Sequence, residues 1–109
     1  MRNLNEYQQS ARKTAIYPPE HGIIYTALGL NGETGEIAEK VKKVIRDKDG
    51  IFDKQAKTEM AKELGDVLWY VANMAHEIGY ALDEVADINL QKLESRAERG
   101  KIKGDGDNR

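Results

Sequence analysis

Two short segments carry acids at a spacing that can do chemistry. One is Gly32-Glu33-Thr34-Gly35-Glu36-Ile37-Ala38-Glu39 and the other is Lys62-Glu63-Leu64-Gly65-Asp66-Val67. In each, two carboxylates stand three residues apart. On a helix such residues share a face, about 4.5 Å apart along the axis. The i+4 neighbours of Glu33, Glu63 and Asp66 are Ile37, Val67 and Tyr70, none of them a cation. Only Glu36 has a cation at that spacing, Lys40. Glu59, four before Glu63, adds a like charge that costs a few tenths of a kcal/mol.

Acids held beside a core without cations are expensive unless something neutralises them. Two helices packed side by side would bring four together, and divalent metal ions are the natural compensation. Oxygen donors suit Mg²⁺ or Mn²⁺ and leave no need for imidazole or thiolate. Such a site fits an anionic substrate. Carboxylates repel a phosphate ester until a cation bridges them, and bound ions can activate water and stabilise leaving oxygens. A single Glu-x-x-Glu would be an ordinary acidic flank. The expectation of a phosphohydrolase site rests on two pairs together.

The elements that must position these acids are helices. Strand signals are absent, with one Phe, one Trp and no alternating β-branched run. Periodicity and capping residues predict four helices, about Leu4–Ala15, Glu20–Asp47, Lys54–Ile78 and Glu84–Arg99. Asn3, Asp53 and Asp83 are the expected N-caps, Gly50, Gly79 and Gly100 the expected stops, and Pro18-Pro19 marks a turn. The expected domain is 1–100, with 101–109 a mobile tail unless it folds over a ligand.

The second helix carries the stripe Ile23, Ala27, Leu30, Thr34, Ile37, Val41, Val44, and the third carries Met60, Leu64, Val67, Val71, Met74, Ile78. Measured from Leu30, Glu33 and Glu36 lie about 60° and about 120° to one side. From Val67, Glu63 and Asp66 lie about 40° and about 100° to the same side. Both pairs therefore begin at the edge of a buried stripe. Leu68, Trp69 and Ala72 lie off the third helix's seam, so that helix needs more cover than a small bundle gives. The pattern predicts an all-α four-helix bundle completed by a dimer or higher homo-oligomer built through the third helix, with Trp69 at the interface.

The bulk composition narrows the function classes. The 109 residues make one modest domain, with 17 Lys+Arg against 19 Asp+Glu and a net charge of −2. That balance argues against a nucleic-acid polymer as partner. No apolar run approaches the roughly 20 residues needed to cross a bilayer. The first six residues begin no signal-peptide apolar segment. The absence of cysteine removes disulfides, zinc-thiolate sites and Cys nucleophiles. A cytoplasmic location is the expectation.

At its acidic segments the chain resembles the MazG-like all-α nucleoside triphosphate pyrophosphohydrolases. The family pattern is Glu-x-x-Glu, a spacer, then Glu-x-x-Asp, matched here by Glu33, Glu36, Glu63 and Asp66 with 26 residues between the halves. The run Glu63-Leu64-Gly65-Asp66-Val67-Leu68-Trp69-Tyr70 and the later Asp87-Ile88-Asn89-Leu90-Gln91-Lys92-Leu93-Glu94-Ser95-Arg96 are also similar to the family. The resemblance implies Mg²⁺-dependent hydrolysis of a nucleoside triphosphate to monophosphate and pyrophosphate, by dimers or tetramers. It implies that Glu33, Glu36, Glu63 and Asp66 are metal ligands, with Glu36 the candidate to orient or deprotonate the attacking water. Asn89 and Lys92 match substrate-contacting positions. Lys92 suits a phosphate oxygen as a point charge, and Arg96 can add a second contact.

Other residues keep two readings. Tyr70, one turn after Asp66, meets sugar or base, or packs in the core. Gln8 and Gln9 can read a base edge, without a specific signal for it. Gly29, Gly32 and Gly35 cost about 1 kcal/mol each in a helix and fit close approach beside the site. Lys101 and Lys103, with Gly104 and Gly106, either close over phosphates or stay disordered. His21 reads as a surface residue. Two further functions fit less well: phosphoribosyl-ATP pyrophosphohydrolase, which shares the architecture and acidic motif, and a non-catalytic helical adaptor, which gains nothing from unpaired acids.

Overall fold

The structure, a computed structural model, describes residues 2–109. Met1, which opens the segment read as lacking a signal peptide, lies outside them. The described residues form four α-helices and no strand: α1 (Leu4–Arg12), α2 (Gly22–Asp47), α3 (Lys54–Glu77) and α4 (Leu82–Glu98). A 3₁₀ turn at Pro19–His21 leads into α2. Among these residues no helix is long and apolar enough to cross a membrane.

Local chemistry sets most boundaries. Asn3 Oδ1 accepts from Glu6 N–H at 2.8 Å, and Asp53 Oδ1 accepts from Ala56 N–H at 2.8 Å, so both expected caps operate. α3 ends in a Schellman closure, in which Tyr80 N–H reaches Ala75 O (2.8 Å) and Gly79 N–H reaches His76 O (3.0 Å). That closure needs the left-handed φ of +87° that Gly79 supplies. Three helices begin or end two or more residues from where the sequence suggests, and of these α2 begins at Gly22 rather than Glu20, after the 3₁₀ turn. α1 stops at Arg12, because Lys13, Thr14 and Ala15 turn to i→i−3 bonds. α4 begins at Leu82, and Asp83 is not its cap. The free N–H groups at its start are met from elsewhere: Gln8 Oε1 accepts from Leu82 and Asn5 Oδ1 from Asp83. Glu84 accepts from Ala81 N–H.

Packing is centred on α3. α2 lies along α3, and α1 packs on both α3 and α4, while the Cα atoms of α2 and α4 stay more than 8 Å apart and Leu30 and Val85 line a shallow hollow between them. The buried cluster is Ala11, Ala72, Ala75 and Leu82, with Tyr7, Trp69, Val71 and Val85 against it. The long apolar stripes are only partly covered. Val44 is buried, but Ile23 and Leu64 are exposed, as are Ile24, Leu28 and Ile88 away from the stripes. Trp69 is half-buried against the buried cluster. Its Nε1 donates to Thr14 Oγ1 at 2.8 Å, and its ring stands edge-on to Tyr17 and to Tyr70.

Candidate active site

The close packing of α2 on α3 gathers acids from both helices. One carboxylate oxygen each from Glu33, Glu63 and Asp66 lies within 4.8 Å of the other two. Glu33 and Glu63 are half-buried and Asp66 is exposed. Burial pushes the Glu33 carboxyl above its usual range, and the charges of Asp66 and Glu63 push it further the same way. A hydrogen bond to Glu63 and the charge of Glu36 add to this. The cluster is thus under electrostatic stress that protons or a cation relieve. Its donor set, three carboxylate oxygens and no nitrogen or sulfur, fits a hard divalent ion.

Glu36 is exposed and stands outside this group of three, one turn further along α2. Its i+4 neighbour Lys40 turns to α3 instead, with Nζ 3.7 Å from Glu59 Oε2 and 3.7 Å from Glu63 Oε1. Lys40 thereby offsets the Glu59–Glu63 repulsion. Spacing along one helix could not show this, because the contact depends on the register between two helices.

Beside the acids lies a hollow of about 280 Å³ lined by Glu33, Asp66, Trp69 and Tyr70. Tyr70 closes against the backbone of α2 at Gly29. A Cβ there would sit 2.1 Å from the Tyr70 ring, so the close approach expected of Gly29 is present. Gly32 and Gly35 face open space, and the same expectation does not hold for them within this chain. Burial raises the Tyr70 hydroxyl above its ordinary range, with Tyr25 and then Glu33 contributing, so it stays a neutral donor beside the acids.

The α4 residues are elsewhere. Asn89 is exposed, Lys92 half-buried and Arg96 buried, and none of them lines the hollow beside the acids. Lys92 and Arg96 engage Asp107 of the tail. Gln8 is buried and fully used, donating to Ala72 O and Tyr80 O and accepting from Leu82, so it reads no base. Its sequence signal is a polar residue one turn before Ala11 on the buried face of α1. His21 is exposed in the 3₁₀ turn.

Residues 23–100 match the MazG nucleotide pyrophosphohydrolase domain. The chain belongs to the MazG family. The match takes in α3, α4 and nearly all of α2, with all four acids, Tyr70, Asn89, Lys92 and Arg96, and leaves α1 and residues 101–109 outside. A curated relative, the "Gene 37 protein" of Mycobacterium phage L5, is 49% identical over 113 residues, covering 98% of this chain and 99% of that protein. No solved structure matches. In this MazG chain the acidic group therefore lies inside the matched domain.

Proposed function

We propose that this protein hydrolyses a nucleoside or deoxynucleoside triphosphate to the monophosphate and pyrophosphate with Mg²⁺, in control or house-cleaning of the nucleotide pool. The observation that carries this reading is the convergence of Glu33, Glu63 and Asp66 within 4.8 Å in a MazG domain. These three would hold the cation, with Mn²⁺ the alternative ion. Bound there, such an ion would supply charge neutralisation for the phosphates and Lewis acidity.

The chain's own residues do the rest. Glu36, exposed beside the group, orients the attacking water and takes its proton. Water oxygen adds to the α-phosphorus, the bond to the α–β bridging oxygen breaks, and pyrophosphate leaves. Tyr70 and Trp69 wall the hollow where sugar and base lie. Because no residue of α4 lines the hollow beside the acids, the phosphate contacts Asn89, Lys92 and Arg96 come from α4 of a second copy in a dimer or tetramer. The uncovered apolar residues of α2 and α4 are the surface such an assembly buries.

The test is a panel of nucleoside triphosphates assayed for pyrophosphate with Mg²⁺. Pyrophosphate release from at least one, lost in Glu36→Ala and Asp66→Ala, is the expected result. Release of single phosphate only, or undiminished activity in both variants, overturns the mechanism.

A further inference from the structure

Residues beyond the matched domain lie on the cations assigned to the phosphates. Past Gly100 the chain turns back along α4. Asp107 Oδ1 sits 2.5 Å from Lys92 Nζ and 3.3 Å from Arg96 Nη2. Arg96 Nη2 also donates to Asp107 O at 2.5 Å. The segment is closed on itself as well. Arg109 donates to the carbonyls of Lys101, Ile102 and Gly106 at 2.7–3.0 Å, and Arg99 Nη1 donates to Arg109 O at 2.6 Å.

The two cations differ from ordinary surface residues. The Arg96 side chain is only 7% exposed, and its cover includes the tail. The Asp107 carboxylate is 76% exposed, so it lies over the cations as a removable group rather than a buried one. Lys92, by hydrogen bond and charge, holds that carboxyl below its usual range, so it remains an anion at neutral pH. A carboxylate on a Lys–Arg pair occupies the position that a phosphate oxygen would take.

We propose that residues 101–109 form a strap that is closed on α4 in the free protein, with Asp107 occupying Lys92 and Arg96, and that the phosphates of the nucleotide displace it. This rests on the reading of Lys92 and Arg96 as phosphate contacts. Strap and polyphosphate are mutually exclusive ligands of one cation pair. The strap therefore lowers the apparent affinity for substrate by the fraction of time it is closed. Charges that meet at the surface are modest in strength, so the strap delays binding without blocking it.

The experiment uses the full chain, Asp107→Asn, and Asp105→Asn as a control that removes the same charge from the tail without touching the pair. Inorganic triphosphate is titrated without divalent metal while the amide NMR signals of Gly104 and Gly106 are followed. In the wild type these signals move as triphosphate binds, and Asp107→Asn binds it about threefold more tightly. Asp105→Asn binds as the wild type does. In turnover, Asp107→Asn lowers KM about threefold with kcat unchanged. If triphosphate binds while those signals stay still, or the two variants behave alike, the strap is overturned although hydrolysis stands. If no triphosphate releases pyrophosphate, the hydrolase reading fails and the titration still decides the strap. Absence of triphosphate binding overturns it.

Discussion

The side chain of Gln8 on α1 caps α4: its Oε1 accepts from Leu82 N–H at 3.0 Å while its amide nitrogen donates to Ala72 O and Tyr80 O. One buried side chain thereby ties the first helix to the end of the third and the start of the fourth. Gln8→Leu would leave a buried N–H and two carbonyls without this partner, at about 1–3 kcal/mol for an orphaned group. A fall of about 5–15 °C in melting temperature at fixed protein concentration is expected. Gln8→Glu keeps an acceptor for Leu82 but loses both donated bonds, so it too should melt early. An unchanged melting temperature in both variants would remove Gln8 from this role.

The glycines of α2 divide by what faces them. At Gly29 an added Cβ would meet the Tyr70 ring at 2.1 Å, whereas Gly35 has open space. Gly29→Ala should displace Tyr70 from the hollow and raise KM, read by steady-state kinetics. Gly35→Ala should stabilise the helix by about 0.5–1 kcal/mol, because Gly in a helix interior is that much worse than Ala. A destabilised Gly35→Ala would mean that another chain covers that face.

Glu77 carries the pH dependence of the α1–α3 junction. The Tyr17 hydroxyl first, and then the Arg12 guanidinium at 2.9 Å, hold its carboxyl below the usual range. A depressed folded-state pKa means that the unfolded chain binds the proton more readily. The contribution is present above the unfolded pKa and is lost as pH falls through the folded one. Comparing Glu77→Gln with the wild type by denaturant unfolding, the wild-type advantage should be about 1–2 kcal/mol at neutral pH and shrink below pH 4. An advantage equal at both pH values would assign it to packing.

Helical class, the two long helices and the acid pair edges were legible because they follow from periodicity within one element. Asn3 and Asp53 cap their own helices and were legible for the same reason. What was not legible depends on register between elements. Asp83 has the right type for a cap, but Gln8 and Asn5 already serve the start of α4 from another helix. Lys40 sits four residues after Glu36 yet faces Glu63, because the offset of α2 against α3 decides its partner. Trp69 is off the apolar seam and still packs against the core cluster, where its indole N–H meets Thr14 of the segment after α1.

The acidic group gives a test in which one substitution changes sign with conditions. Glu33 is pushed up by burial and by Asp66 and Glu63, so its ionised form is disfavoured in the folded chain. A raised acid binds protons more in the folded state, so stability falls as pH rises through the shifted range. Glu33→Gln removes that penalty and should raise the melting temperature in a metal chelator at neutral pH. A divalent ion stabilises the assembled site by RT ln(1 + [L]/Kd), so at millimolar Mg²⁺ the wild type should gain. Glu33→Gln, with a ligand removed, should gain little. The order of the two melting temperatures then reverses between chelator and Mg²⁺. Stability that is lower in Glu33→Gln under both conditions would mean that Glu33 serves packing, and that the three carboxylates do not act together on a cation.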